Sequence, residues 1–232
     1  MAGRKPRRAR RWLGGAALLL SLVGGIAAWW QAGEWMPSRA RYPIQGTETS
    51  AADGAVNWVA LKASGADFAY LDASAGADVR DPAFTEGLAE ARAAGLKVGA
   101  VHHYDPCRGA GEQAANFVTV VPRDAALLPP AVELDLDEAE CAAPPAPAAM
   151  VSELTTFLNQ IEGHVGKPAI LKLSPAFEAR YRLAPMLDRN LWLTGDYFAP
   201  GYAGRPWVMW TANTRLRSPA VDGRLRWIAV RP

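Results

Sequence analysis

The chain has 232 residues, half of them apolar and 21% charged, which suffices for one sizeable core and excludes a disordered protein. Its formal charge of +2 conceals an asymmetry. Six of the 25 basic residues (Arg4, Lys5, Arg7, Arg8, Arg10 and Arg11) precede the first acid, and the remaining 19 face 23 acidic ones, a balance of −4. Nucleic acid is therefore not expected as a partner, because the basic character sits in a tail and not on the folded body.

Residues 1–11 are that basic tail, and residues 12–33 carry no charge (W-L-G-G-A-A-L-L-L-S-L-V-G-G-I-A-A-W-W-Q-A-G). At about 1.5 Å per residue this stretch covers roughly 33 Å, the thickness of a bilayer core. The arginines before it and Trp29, Trp30 and Trp35 near its far end predict a single-pass anchor in the inner membrane with a cytoplasmic N-terminus. A cleaved secretory signal is the alternative, with Gly25-Ile26-Ala27 as a poor cleavage site and a weak likeness to a twin-arginine signal. Either way the body leaves the cytoplasm, into the periplasm or beyond. There are two cysteines, Cys107 and Cys141, and an oxidising compartment makes a disulfide between them the expectation.

After a linker over 34–45, residues 46–232 read as one domain of alternating strands and helices. A weak strand over Gly46–Thr49 leads to a helical pattern over Val56–Ser64, a strand at Phe68–Asp72 and a helix over Pro82–Gly95. Val98–Tyr104, Ala131–Leu136 and Pro168–Leu173 are further strands, separated by helices over Gly111–Val121 and Met150–Val165. A short helix at Pro175–Tyr181 is the last. Strands at Leu191–Thr194, Trp207–Trp210 and Trp227–Val230 then follow without helices between them. Five β/α units followed by three strands predict an α/β protein built as an irregular TIM-like (β/α)-barrel, with an open doubly wound sheet as the rival.

In a parallel barrel the working face lies at the C-terminal ends of the strands. Glu48, Asp72, His102 or His103, Glu133, Asp135, Lys172, Thr194 with Asp196, and Trp210 are placed there. In Ala131–Cys141 (A-V-E-L-D-L-D-E-A-E-C), apolar residues alternate with Glu133, Asp135 and Asp137, so the acids share one face of a strand. Glu133 and Asp135, two apart, are about 7 Å from each other. Two carboxyl groups roughly 5 to 9.5 Å apart are what acid–base cleavage of a glycosidic bond needs. A solvated strand edge explains the same alternation. A membrane-anchored scaffold that binds a protein partner is a separate reading, which aromatics near the anchor such as Trp35 allow. No phosphate loop, nucleophile elbow or metal constellation is present, so no cofactor and no metal are expected.

Several stretches carry a resemblance. Tyr42–Ser50 (Y-P-I-Q-G-T-E-T-S) with Asp53–Trp58 (D-G-A-V-N-W), and Leu128–Asp135 (L-P-P-A-V-E-L-D), are similar to the opening and the L-P-P-V-L-D-x-E segment of glycoside hydrolase family 25, the lysozyme family. Phe68–Gly76, Ala94–Ala100, Glu112–Phe117, Arg205–Trp210 and Pro219–Gly223 continue the likeness in order. The resemblance implies a groove at the barrel mouth and hydrolysis of the bond between N-acetylmuramic acid and N-acetylglucosamine in peptidoglycan. It further implies Asp135 as proton donor, with Glu133 and Glu48 supporting charge at the sugar. His102 matches the family's strand histidine and is expected to touch substrate. Asp72, Lys172, Trp210 and Arg226 complete the expected substrate-binding set. The departures are as specific as the matches. Glu48 stands for an aspartate, the D-x-E pair is inverted to E-L-D, and Ala75 replaces a glutamate. Val101 and Lys172 replace tyrosines, Thr211 a glutamine and Arg226 an aspartate. Exchanging Asp for Glu moves a carboxylate by about 1 Å, a misplacement that can cost roughly 10²-fold in rate. A catalytically inactive peptidoglycan-binding barrel is therefore the alternative to a muramidase of altered geometry.

Overall fold

The computed structural model describes residues 20–25, 29–136 and 143–232. Nine strands form one sheet: β1 (Gln45–Thr49), β2 (Phe68–Ala75), β3 (Val79–Arg80), β4 (Lys97–His103), β5 (Ala131–Leu134), β6 (Ile170–Leu173), β7 (Asn190–Thr194), β8 (Met209–Leu216) and β9 (Leu225–Val230). The helices are α1 (Trp58–Ala63), α2 (Phe84–Ala93), α3 (Ala110–Val120), α4 (Pro147–Val165) and α5 (Pro175–Tyr181).

The order is β1-β9-β8-β7-β6-β5-β4-β2-β3, and β1 also pairs with β2, so eight strands close into a barrel with β3 hanging from its rim. This is the predicted plan of five β/α units and three strands, and the open sheet is set aside. Around the barrel the pairings from β1–β2 to β7–β8 are parallel, whereas β9 runs antiparallel to both neighbours, β8 and β1, and the rim strand β3 is antiparallel to β2. Several bounds differ from expectation, and three of these differences bear on the site. β2 runs on to Ala75 past a bulge between Asp72 and Ser74. β8 begins at Met209, not Trp207, and runs on to Leu216. β5 stops at Leu134, leaving Asp135 just beyond the strand.

Local chemistry explains the helix ends. The Asn57 side chain accepts from Ala60 N–H at 2.9 Å, capping α1. Ser174 caps α5 in the same way ahead of Pro175. Gly166 ends α4 in the left-handed conformation, φ 76°.

Two cores result. The larger one fills the space between the barrel wall and the helices, with Phe84, Phe117, Phe157 and Phe177 buried in it. The smaller one plugs the barrel itself: Phe68, Tyr70, Val101, Ala131, Ile170, Trp192, Met209 and Ile228. The plug needs two glycines, on the strands either side of β2. A Cβ on Gly99 would lie 2.3 Å from the Tyr70 ring, and one on Gly46 2.4 Å from the Phe68 carbonyl oxygen. Each large side chain buried here stabilises the closed barrel by about 1.5–3 kcal/mol.

Among the described residues no helix is long and apolar enough to cross a membrane. The predicted anchor over 12–33 lies largely outside them, and only 20–25 and 29–32 of it are described, as helix. Cys107 is disulfide-bonded. Its expected partner Cys141, like Asp137, lies outside the described residues.

Candidate active site

Strand parity decides which side chains reach the mouth. Every plug residue faces inward, so the residue two further on faces inward as well, one level up. Tyr70 leads to Asp72, Val101 to His103, Ala131 to Glu133 and Ile170 to Lys172. Gly46 leads to Glu48, and on antiparallel β9 Arg226 precedes Ile228. Six ionisable groups therefore form a ring above the plug.

Lys172 is its centre. Its ammonium donates to Glu48 Oε1 and Oε2 at 2.6 and 2.7 Å and to Glu133 Oε2 at 2.8 Å, with Glu48 wholly buried. The same ammonium lies 5.1 Å from the Trp192 ring centroid, so the plug supports it from below. His103 bridges two acids, Nε2 to Asp72 at 3.1 Å and Nδ1 to Glu133 at 3.2 Å. Arg226 lies 3.7 Å from Glu48, 3.6 Å from Asp72 and 3.2 Å from Asp53. Each acid of the mouth is thus paired with a cation, although Glu48 and Asp72 stand side by side on the paired strands β1 and β2.

The network separates the acids electrostatically. Burial alone would raise the Glu48 pKa, but Lys172 and then Arg226 hold it below the ordinary value. Burial raises Glu133, and its single contact with Lys172 does not offset this. Asp72 is likewise pushed up by burial, against the opposing hydrogen bond from His103. For His103 burial is outweighed by Asp72 and Glu133, and the pKa rises to about 9, so the ring is an imidazolium at neutral pH. Two buried atoms in the ring have no hydrogen bond, Asp72 Oδ1 and Arg226 Nε.

Two adjoining clefts open above these groups and share His103 and Glu133. One, of about 540 Å³, is lined by Glu48, Asp72, Lys172 and Arg226. The other, of about 530 Å³, is lined by Asp135, Tyr104, Asp105 and Arg108. The Asp135 carboxylate is oriented by accepting from Leu136 N–H at 2.7 Å. Glu48, His103 and Glu133 place ligand atoms within 4.8 Å of one another, close enough for a metal ion. The Lys172 ammonium already bonds both carboxylates there, so the cation that this cluster calls for belongs to the chain itself.

The fold thus brings Glu48, Asp72, Glu133, Asp135, Lys172 and Arg226 to the mouth. It does not bring His102, Trp210 or Asp196 there. His102 faces outward: fully buried, it bonds Ser74 at 2.9 Å and packs 4.8 Å from the Phe157 ring, and burial lowers its pKa to about 3. The histidine of the mouth is His103. Trp210 is also on the outer side, 2% exposed, packed on Tyr42 and Trp35 and donating to the Gly195 carbonyl at 2.9 Å. The inward tryptophan is Trp192, whose Nε1 donates to Thr211 at 2.8 Å. Asp196 is spent on Thr214 and Arg215 outside the mouth. Asp53, which sequence reasoning missed, is held by Ser50 N–H at 2.7 Å in the turn after β1 and pairs with Arg226. Its only signal was the capping pattern S-A-A-D.

Comparison with known proteins bears on the same residues. The family model described as Glycosyl hydrolases family 25 matches residues 48–214. Lysozyme M1 of Streptomyces globisporus is 32% identical over 74 residues, a match that spans 32% of this chain and only 25% of that protein. The protein YegX of Escherichia coli K12 is 25% identical over 191 residues, 79% of this chain and 68% of its own length. Among solved structures, a family 25 glycosyl hydrolase from Bacillus anthracis superposes with a TM-score of 0.75 at 21% identity, covering 85% of this chain and 92% of that one. A bacterial lysozyme from Streptomyces coelicolor gives 0.71 at 21% identity over 81% and 91%. With the barrel, the acidic mouth and a family match over most of its length, the chain belongs to the glycosyl hydrolases of family 25.

Proposed function

We propose that the protein is a lysozyme-type glycosidase that cleaves peptidoglycan glycan strands between N-acetylmuramic acid and N-acetylglucosamine. The observation that carries this reading is the junction of the two clefts at Glu133 and His103, which gives an extended chain of sugars a continuous path past Asp135 on one side and Glu48 on the other. Asp135 is the proton donor to the glycosidic oxygen. As the bond to the anomeric carbon breaks, the ionised Glu48 and the adjacent Glu133 stabilise the positive charge on the sugar, and water then completes hydrolysis. Hydrogen bonds left unmade by Asp72 and Arg226 are of the kind found where a site awaits a ligand.

A second reading has its own support. The bonds from Lys172 to Glu48 and Glu133 favour a barrel that holds glycan without turning it over, because both carboxylates are already committed to a cation. One experiment separates the two. The full chain, held in detergent, is incubated with purified sacculi, and soluble fragments are identified by mass spectrometry beside Asp135→Asn and Glu133→Gln. Fragments with reducing N-acetylmuramic acid ends, reduced about 10²-fold or more in Asp135→Asn, establish the hydrolase. Sedimentation with sacculi and no fragments establishes the binding barrel.

The envelope setting belongs to the same proposal. Residues 12–33 anchor the chain in the inner membrane, the barrel occupies the periplasm, and Cys107 pairs with Cys141.

A further inference from the structure

The segment that joins the uncharged N-terminal run to the barrel is built into the mouth rim. β8 is parallel to β7, so its C-terminal residues lie at the mouth end. There Asn213, fully buried, donates its side-chain amide to the carbonyls of Ala32 at 3.0 Å and Trp35 at 2.9 Å. Arg217 N–H donates to the Gly33 carbonyl at 2.6 Å. Its guanidinium lies 4.2 Å from the Trp30 ring centroid and 3.2 Å from Glu34. Trp35 packs against Tyr197 at 5.7 Å and Trp210 at 6.3 Å.

Gly33 is the last residue of the uncharged run and is also held by the barrel, so no slack separates the two. A flexible linker of n residues would let the barrel wander by about 5–6 Å × √n; here n is zero. Next to Tyr197 on the same rim, Phe198 is 82% exposed, and Trp29 and Trp30 are 63% and 56% exposed. Large aromatic side chains beside an apolar run suit the interface between lipid and water.

We propose that the mouth rim of the barrel rests on the bilayer surface, with Trp29, Trp30 and Phe198 in the lipid interface, so that the cleft acts on glycan lying next to the membrane. This rests on the anchor proposed above. A lipid surface is the occupant because the apolar run emerges at this rim and not at the opposite end of the barrel.

The full chain, reconstituted in lipid nanodiscs, tests it. Ala199→Cys, beside Phe198, and Asn190→Cys, exposed at the opposite end where β7 begins, are each labelled with an environment-sensitive fluorophore. Collisional quenching by brominated lipid is then measured. Quenching several-fold stronger at position 199 than at 190 is expected, as is its loss when Asn213→Ala and Arg217→Ala release the segment while the chain stays in the disc. Equal quenching at both positions in a disc-bound chain overturns the seated rim and leaves the anchor standing. A chain that does not enter discs removes the anchor and, with it, the seated rim.

Discussion

Two levels of the same barrel, one residue pair apart on each strand, are built from opposite chemistry. The lower level is apolar, with Tyr70, Val101, Ala131, Ile170, Trp192 and Ile228 filling the lumen without a charge. The upper level holds Asp72, His103, Glu133 and Lys172 on the same strands, with Glu48 and Arg226 from β1 and β9. The plug is held by packing, which is non-directional and tolerates modest changes of shape. The mouth is held by distances of 2.6 to 3.7 Å between opposite charges, where each group depends on its neighbours. A barrel interior thus separates its stability from its chemistry by a single strand step.

The contrast predicts different responses to single changes. The largest effect is expected from Lys172→Met. Two buried carboxylates then lose their shared cation, and stability should fall by about 3–5 kcal/mol in denaturant unfolding. A loss below about 1 kcal/mol would mean that water reaches Glu48 and that the mouth is not a dry network. In the plug, Gly99→Ala is expected to cost about 1–3 kcal/mol. The Tyr70 ring that must move is pinned by its hydroxyl to the Pro129 carbonyl at 3.0 Å. Unchanged stability there would show the plug to be loosely filled.

The third prediction is a slope and not a loss. His103 titrates near 9 in the folded state against 6.5 when free, so its contribution is complete below pH 6.5 and drains away as pH rises through about 9. Asp72 and Glu133 raise it, and Lys172 opposes them. Its neighbour His102 has the opposite sign. With its folded pKa lowered to about 3, it contributes stability above pH 6.5 that is lost as pH falls toward 3. Thermal unfolding across pH should show both limbs in the wild type and lose only the alkaline limb in His103→Phe.

The adjacent histidines also show where sequence reading stops. The run from Val98 to His103 is buried on both faces, as a parallel strand covered by helices must be. Period-two alternation then carries no sign, and nothing in the sequence says which histidine points inward. The same holds for Met209 and Trp210. Ala131–Leu136 is more readable, because its acids alternate with apolar residues and so share one face, but only closure of the barrel decides whether that face is the mouth or a solvated edge. The number and order of strands were legible from their alternation with helices. The antiparallel β9 was not, because direction is set by pairing with β1 and β8. Asp53 escaped for a related reason: its partner Arg226 is 173 residues away.

The closure of β9 on β1 has a consequence for the order in which the molecule forms. Glu48 is among the first residues of the body to be made, yet it is sealed only when β9 arrives and Arg226 takes its place opposite in the register. Contacts of such sequence separation form late and slow the final step of folding. The site is therefore the part of the barrel that depends most on its first and last strands meeting.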